Sequence, residues 1–86
     1  MNPHDVVLYP LLTEKSMDCV DKNNEIVFIV SIKANKNQIQ QAVEKLYAVE
    51  VQSVNTSIDR KGRKRAYVKL TKGFQAIDIM TKMGVI

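Results

Sequence analysis

The sequence predicts an α+β fold: one single-domain, two- or three-layer sandwich built on a mostly antiparallel four-stranded sheet with helices on both faces. Three observations predict it. The 86 residues suffice for one compact domain and not for two. Segments with the two-residue period of strands alternate with segments of helical period in the order β-α-β-α-β-β-α. No internal repeat, low-complexity tract or Pro/Gly/Ser-rich linker divides the chain, so residues 1–86 read as one unit.

Val6 to Tyr9 is a short apolar run that Pro10, lacking an N–H, stops; a brief edge strand fits. Thr13 then stands where a helix N-cap belongs, with Glu14 favourable to the positive end of the dipole and Leu12 and Met17 at the positions of a hydrophobic staple. That helix is expected to end before the polar cluster Asp21 to Asn24. Glu25 to Ile32 is the strongest strand: Ile26, Phe28, Val30 and Ile32 share one face, while Val27 and Ile29 make the opposite face apolar too. A central strand covered on both sides follows.

Asn35 is an N-cap with Gln38 three residues on, and Ile39, Ala42, Val43, Leu46 and Tyr47 draw one apolar stripe along the helix behind it. Val54, Thr56 and Ile58 alternate with Asn55 and Ser57; Ala66, Val68 and Leu70 alternate with Arg65, Tyr67, Lys69 and Thr71. These two runs predict a hairpin closed by Arg60 to Lys64, with Gly62 free to take the positive φ of a short loop. Phe74 to Met83 carries Ile77, Met80 and Met83 at helical spacing, and Gly84 is placed to end that helix.

Composition narrows the function. Apolar residues at 45% and charged residues at 26% are those of a globular protein. No run approaches the about 18 apolar residues of a membrane helix, and Met1 to Asp5 lacks the charged and hydrophobic regions of a leader, so the expectation is a cytoplasmic protein without membrane insertion. The single cysteine, Cys19, forms no internal disulfide and has only the distant His4 as a second metal ligand; it reads as a small buried apolar residue. No cofactor or metal is implied.

The net charge of +4 is unevenly spread. Between Arg60 and Lys72 lie seven Lys and Arg and no acid, leaving six basic and nine acidic side chains elsewhere, a net of −3. Arg60, Lys61, Arg63, Lys64 and Arg65 crowd a hairpin tip, where mutual repulsion asks for a counter-charge. Phosphate supplies it: Arg offers a bidentate fork and Lys a point charge, and both gain from counterion release. Arg65, Tyr67 and Lys69 continue the stripe along one strand face towards Lys72. A charged turn that only protects an edge strand needs one or two such residues and not a cluster. Tyr67 can stack on an unpaired base or bury half its ring on the sheet, and both readings stand. Thr13, Lys15 and Ser16 open a helix and form a second candidate anion contact, with capping as the equal alternative for Thr13 and Glu14. Lys33 and Lys36, flanking the start of the long helix, are a third, or solubilising charge.

Lys64-Arg65-Ala66-Tyr67-Val68-Lys69-Leu70-Thr71, followed after seven residues by Ile79, resembles the signature of the large-subunit ribosomal protein L-twenty-three family, and Pro10-Leu11-Leu12-Thr13-Glu14-Lys15-Ser16 is similar to that family's N-terminal motif. The likeness runs from Val7 through Lys82-Met83-Gly84-Val85-Ile86. The resemblance implies a cytoplasmic, structural constituent of the large ribosomal subunit, bound to large-subunit ribosomal RNA beside the exit tunnel. Its implied partners are neighbouring ribosomal proteins there, the signal recognition particle and other nascent-chain factors, with no obligate homo-oligomer. Bacterial members carry a longer hairpin reaching into the tunnel; here only Arg60 to Lys64 join the strands, and the form resembles the archaeal one, without the long basic N-terminal tail of eukaryotic members.

Other classes fare worse. An acylphosphatase-like enzyme lacks its residues: there is no Gly-rich phosphate loop, no H-E-x-x-H, no adjacent Cys and His and no paired carboxylates, and His4 lies in a terminus expected to fray. A module stacking bases on several strand aromatics has only Tyr67 pointing outward with certainty. A protein-docking module leaves the cations unexplained. The alternative function is a free-standing RNA-binding module outside the ribosome.

Overall fold

The computed structural model describes residues 2–84; Met1, where the leader reading begins, and Val85 and Ile86, the end of the family likeness, lie outside them. The elements are α1 (Pro3–Val6), β1 (Val7–Pro10), α2 (Glu14–Asn23), β2 (Glu25–Val30), α3 (Lys36–Tyr47), β3 (Val51–Ile58), β4 (Lys64–Leu70) and α4 (Ala76–Lys82). All four strands form one antiparallel sheet in the order β1-β2-β4-β3, so the two strands richest in apolar residues are central.

One face carries the main core. Ile26, Phe28 and Val30 of β2, Val54 of β3 and Ala66, Val68 and Leu70 of β4 are buried against Ile39, Ala42 and Val43 of α3 and Ala76, Ile79 and Met80 of α4. The Phe28 ring, fully buried, stacks on Tyr47 at 5.7 Å between centroids, an offset arrangement that adds to area burial. Val27 and Ile29 are buried to 2% exposure yet stand outside that cluster, on the second face. There the first turn of α2 closes beside Val27, which is why both faces of β2 are apolar.

The capping chemistry follows from sequence. Asn35 and Gln38 form a reciprocal box at α3, at 2.8 and 3.0 Å. At α2 the partner of Thr13 is Ser16: each hydroxyl accepts the other's backbone N–H. The C-caps of α2 and α3, Asn24 and Ala48, take left-handed φ of 55° and 54°. Asn24 also accepts the Ala76 N–H at 2.6 Å and donates to the Phe74 carbonyl at 2.7 Å, tying the α2–β2 corner to the start of α4.

Five expectations need correction. His4 lies in a helical turn and not in irregular chain: Asn2 caps the one-turn α1 with Pro3 at its first position, a signature present in the sequence. Helix α2 continues through Asp21, Lys22 and Asn23, because exposed polar side chains do not stop a helix and the left-handed Asn24 does. Strand β2 ends at Val30, since the Ser31 N–H turns to the Val6 carbonyl and the Ala34 N–H to that of Ser31; Ile32 is left 56% exposed. Leu12, placed for a staple, is 52% exposed. Helix α4 starts at Ala76, after Phe74, and buries Ala76, Ile79 and Met80 with Met83 packed beside them; of the Ile77, Met80, Met83 line only Ile77 turns outward.

Candidate nucleic-acid interface

The hairpin loop is organised by an acid just outside the basic run. Asp59 accepts the backbone N–H groups of Lys61 and Arg63 on Oδ1, both at 2.9 Å, and the Arg63 Nε–H on Oδ2 at 2.8 Å. Its own N–H bonds the Arg63 carbonyl and its carbonyl takes the Gly62 N–H, with Gly62 at φ 79°. This is an Asx-type turn, the reason Asp recurs ahead of tight loops. The Arg65 Nε stands 3.5 Å from the same Oδ2. Burial alone would raise the Asp59 pKa, but the Arg63 and Lys61 donors outweigh it and hold the carboxyl below its ordinary value of 3.8. The Tyr9 hydroxyl, and then Asp59, favour the charged form of Arg63 and raise its pKa. The tip is thus a rigid platform in which Arg63 and Arg65 are positioned by one carboxylate, while Arg60 and Lys61 are exposed and have no salt-bridge partner among the described residues.

Strand register then sorts the other candidates. Lys64 shares the parity of Ala66 and turns away from Arg65, donating its Nζ to the Ala34 carbonyl in the β2–α3 loop. That bond fastens the loop bearing the exposed Lys33, and with it the start of α3 bearing Lys36, to the hairpin base. Lys33, Lys36, Arg60, Lys61, Arg63 and Lys64 therefore gather at one end of the sheet, although they come from two stretches of sequence. Lys69 and Lys72 do not join them. The seven residues of β4 extend about 20 Å, so Lys69 sits at the far end, opposite Glu25, with Lys72 in the loop beyond. The basic run from Arg60 to Lys72 is one feature in sequence and two in space.

The second face of β3 and β4 is open and polar. Here Arg65 lies between Ile29 and Ser57, Tyr67 between Val27 and Asn55, and Lys69 between Glu25 and Ser53. Ser53, Asn55 and Ser57 are exposed and Tyr67 partly so. Lys15 and Thr13 are exposed beside this surface, at the mouth of a cleft of about 60 Å³ shared with Arg65 and Tyr67. Ser16 is not available to a ligand: it is 3% exposed, and its hydroxyl donates towards the Leu11 and Thr13 carbonyls. Asp59, Tyr9, Asn55 and Ser57 belong to this surface and were not among the candidates. Asp59 was legible as a turn residue preceding the loop, and Asn55 and Ser57 by their outward parity; Tyr9 needed the strand order.

Among the described residues no group of three or more His, Cys, Asp or Glu could hold a metal ion, and no helix is long and apolar enough to cross a membrane.

Sheet, caps and a hairpin end crowded with Lys and Arg define a class of small α+β protein with a strongly cationic end to its sheet. The comparisons give that class a family. The family described as Ribosomal protein L23 matches residues 5–79. The protein named Large ribosomal subunit protein uL23, from Methanothermobacter thermautotrophicus, is 46% identical over 85 residues, covering 99% of each chain. The chain belongs to the ribosomal protein L23 family.

Proposed function

We propose that the chain is a structural constituent of the large ribosomal subunit that holds large-subunit ribosomal RNA with its hairpin end, as a many-point electrostatic and shape contact without catalysis. The observation that carries this is the collection of six cations from two chain segments at one end of the sheet, fastened by Asp59 and by the Lys64–Ala34 bond. Membership of a large-subunit protein family supports the assembly, and the polar second face with Arg65 and Tyr67 extends the surface offered to RNA. The reading includes a position near the mouth of the exit tunnel, with neighbouring ribosomal proteins, the signal recognition particle and other nascent-chain factors as partners. Its support is the family likeness, together with exposed Leu8, Tyr9 and Ile32 beside the hairpin base, an apolar surface suited to a protein neighbour.

The native protein should sediment with the large subunit in moderate salt. Replacing Lys33, Arg60 and Lys61 together by Ala should lower the slope of log K against log salt for large-subunit RNA by roughly 2 to 3, since each phosphate contact contributes roughly 0.7 to 0.9. A protein that runs free of the subunit, or a slope that does not move, overturns the assignment.

A further inference from the structure

The cleft beside Tyr67 is not explained by an electrostatic grip on a folded RNA. It opens between the first turn of α2 and strands β2 and β4, with Leu11, Cys19 and Val27 as its apolar floor and Lys15, Arg65 and Tyr67 around it. No carboxylate of the described residues lines it. Its volume of about 60 Å³ has room for roughly four waters, enough to seat the leading edge of one planar ring whose remainder lies outside, over Tyr67. Resting on the RNA-binding reading and deepening it, we propose that this cleft takes up a single unpaired nucleotide, its base laid against Tyr67 and its phosphate held between Lys15 and Arg65.

Three observations point to a nucleotide. Arg65 is incompletely compensated: Asp59 gives its short contact to Arg63 at 2.8 Å and stands 3.5 Å from the Arg65 Nε, which is shut off from solvent and makes no hydrogen bond among the described residues. The buried Nε is out of a ligand's reach, and it is the exposed third of the Arg65 side chain that offers its charge to a phosphate. Tyr67 is flanked across the sheet by Val27 on one side and the exposed Asn55 on the other, so a base on the ring meets an apolar wall and an amide that can both donate and accept at its edge. Lys15, exposed on the opposite lip, closes the anion contact. A paired base cannot enter, because its edge and both faces are occupied within the duplex.

The test uses the full 86-residue chain with a short single-stranded RNA of mixed sequence and a fully paired RNA duplex of equal charge. Proton signals of the Tyr67 ring should move upfield with the single strand and stay in place with the duplex. Tyr67→Ala should weaken single-strand binding by roughly 5- to 150-fold, the range typical of one stacked base, and duplex binding by less than about 2-fold, while Tyr67→Phe keeps both. The ring signals of the unmodified chain decide the matter should Tyr67→Ala fail to fold. If both RNAs bind and the Tyr67 signals move with neither, or Tyr67→Ala weakens both alike, the nucleotide site is overturned and the RNA-binding reading survives. If neither RNA binds, the nucleotide site is overturned, and the RNA-binding reading falls with it only if large-subunit RNA fails to bind as well.

Discussion

Asp59 shows how one side chain can convert a repulsive sequence into an ordered loop. Its carboxylate satisfies two backbone donors that a five-residue connection would leave to water, and it neutralises part of the charge that Arg63 and Arg65 bring to the same corner. These donors bond the ionised form, so its folded pKa lies below that of the unfolded chain. A depressed carboxylate adds stability that is complete above the unfolded pKa and is lost as pH falls through the folded value. The loop should therefore keep its order at neutral and mildly acidic pH and loosen only below the ordinary carboxylate range. A carboxyl-carbon titration followed by NMR should place the Asp59 midpoint below 3.8, with exchange of the Lys61 and Arg63 amides accelerating over the same interval. A midpoint at or above the ordinary value would mean that the bonds to Arg63 and Lys61 do not persist in solution.

The elements themselves were legible wherever periodicity and capping agreed. Helix α3 shows it best: Asn35 with Gln38, then a stripe from Ile39 to Tyr47, left one solution, and the hairpin was equally determined by alternation around Gly62. What escaped was decided by partners distant in sequence. Ile32 continues the β2 alternation perfectly, but its neighbour Ser31 is claimed by Val6. On α4 the two methionines do mark the inward face, but the start of the helix at Ala76 is tied to Asn24 by bonds spanning some fifty residues, which leaves Ile77 outside. Of the candidate site, charge and parity revealed the cations and Tyr67, whereas the internal duty of Ser16 depended on Leu11 turning its carbonyl towards the helix. That duty is measurable. Ser16→Ala removes both the acceptor of the Thr13 N–H and the donor to Leu11 in a nearly buried position, and should destabilise the fold by about 1–3 kcal/mol in urea or thermal denaturation. Thr13→Ser, which preserves the cap oxygen, should cost little.

At the scale of the molecule, the important fact is that a rigid strand separates charges that the sequence lists together. Cations at the hairpin end are joined by Lys33 and Lys36 from another segment, whereas Lys69 faces Glu25 across the sheet and Lys72 lies one residue beyond Thr71, whose N–H bonds the Glu50 carbonyl. An acid within one cross-strand spacing reduces the counterions that a lysine can release, and a site some 20 Å away is outside the about 8–10 Å over which surface charges reinforce each other at ordinary salt. The two groups should consequently differ in their grip on RNA, although each pair removes two positive charges. Arg60→Ala with Lys61→Ala should lower the salt slope for large-subunit RNA by roughly 1.4–1.8, and Lys69→Ala with Lys72→Ala by less than about 0.5. Binding isotherms at four or five salt concentrations separate these outcomes. Equal reductions would show that affinity follows net charge alone, and that the arrangement built by Asp59 and Lys64 has no part in directing the protein onto RNA.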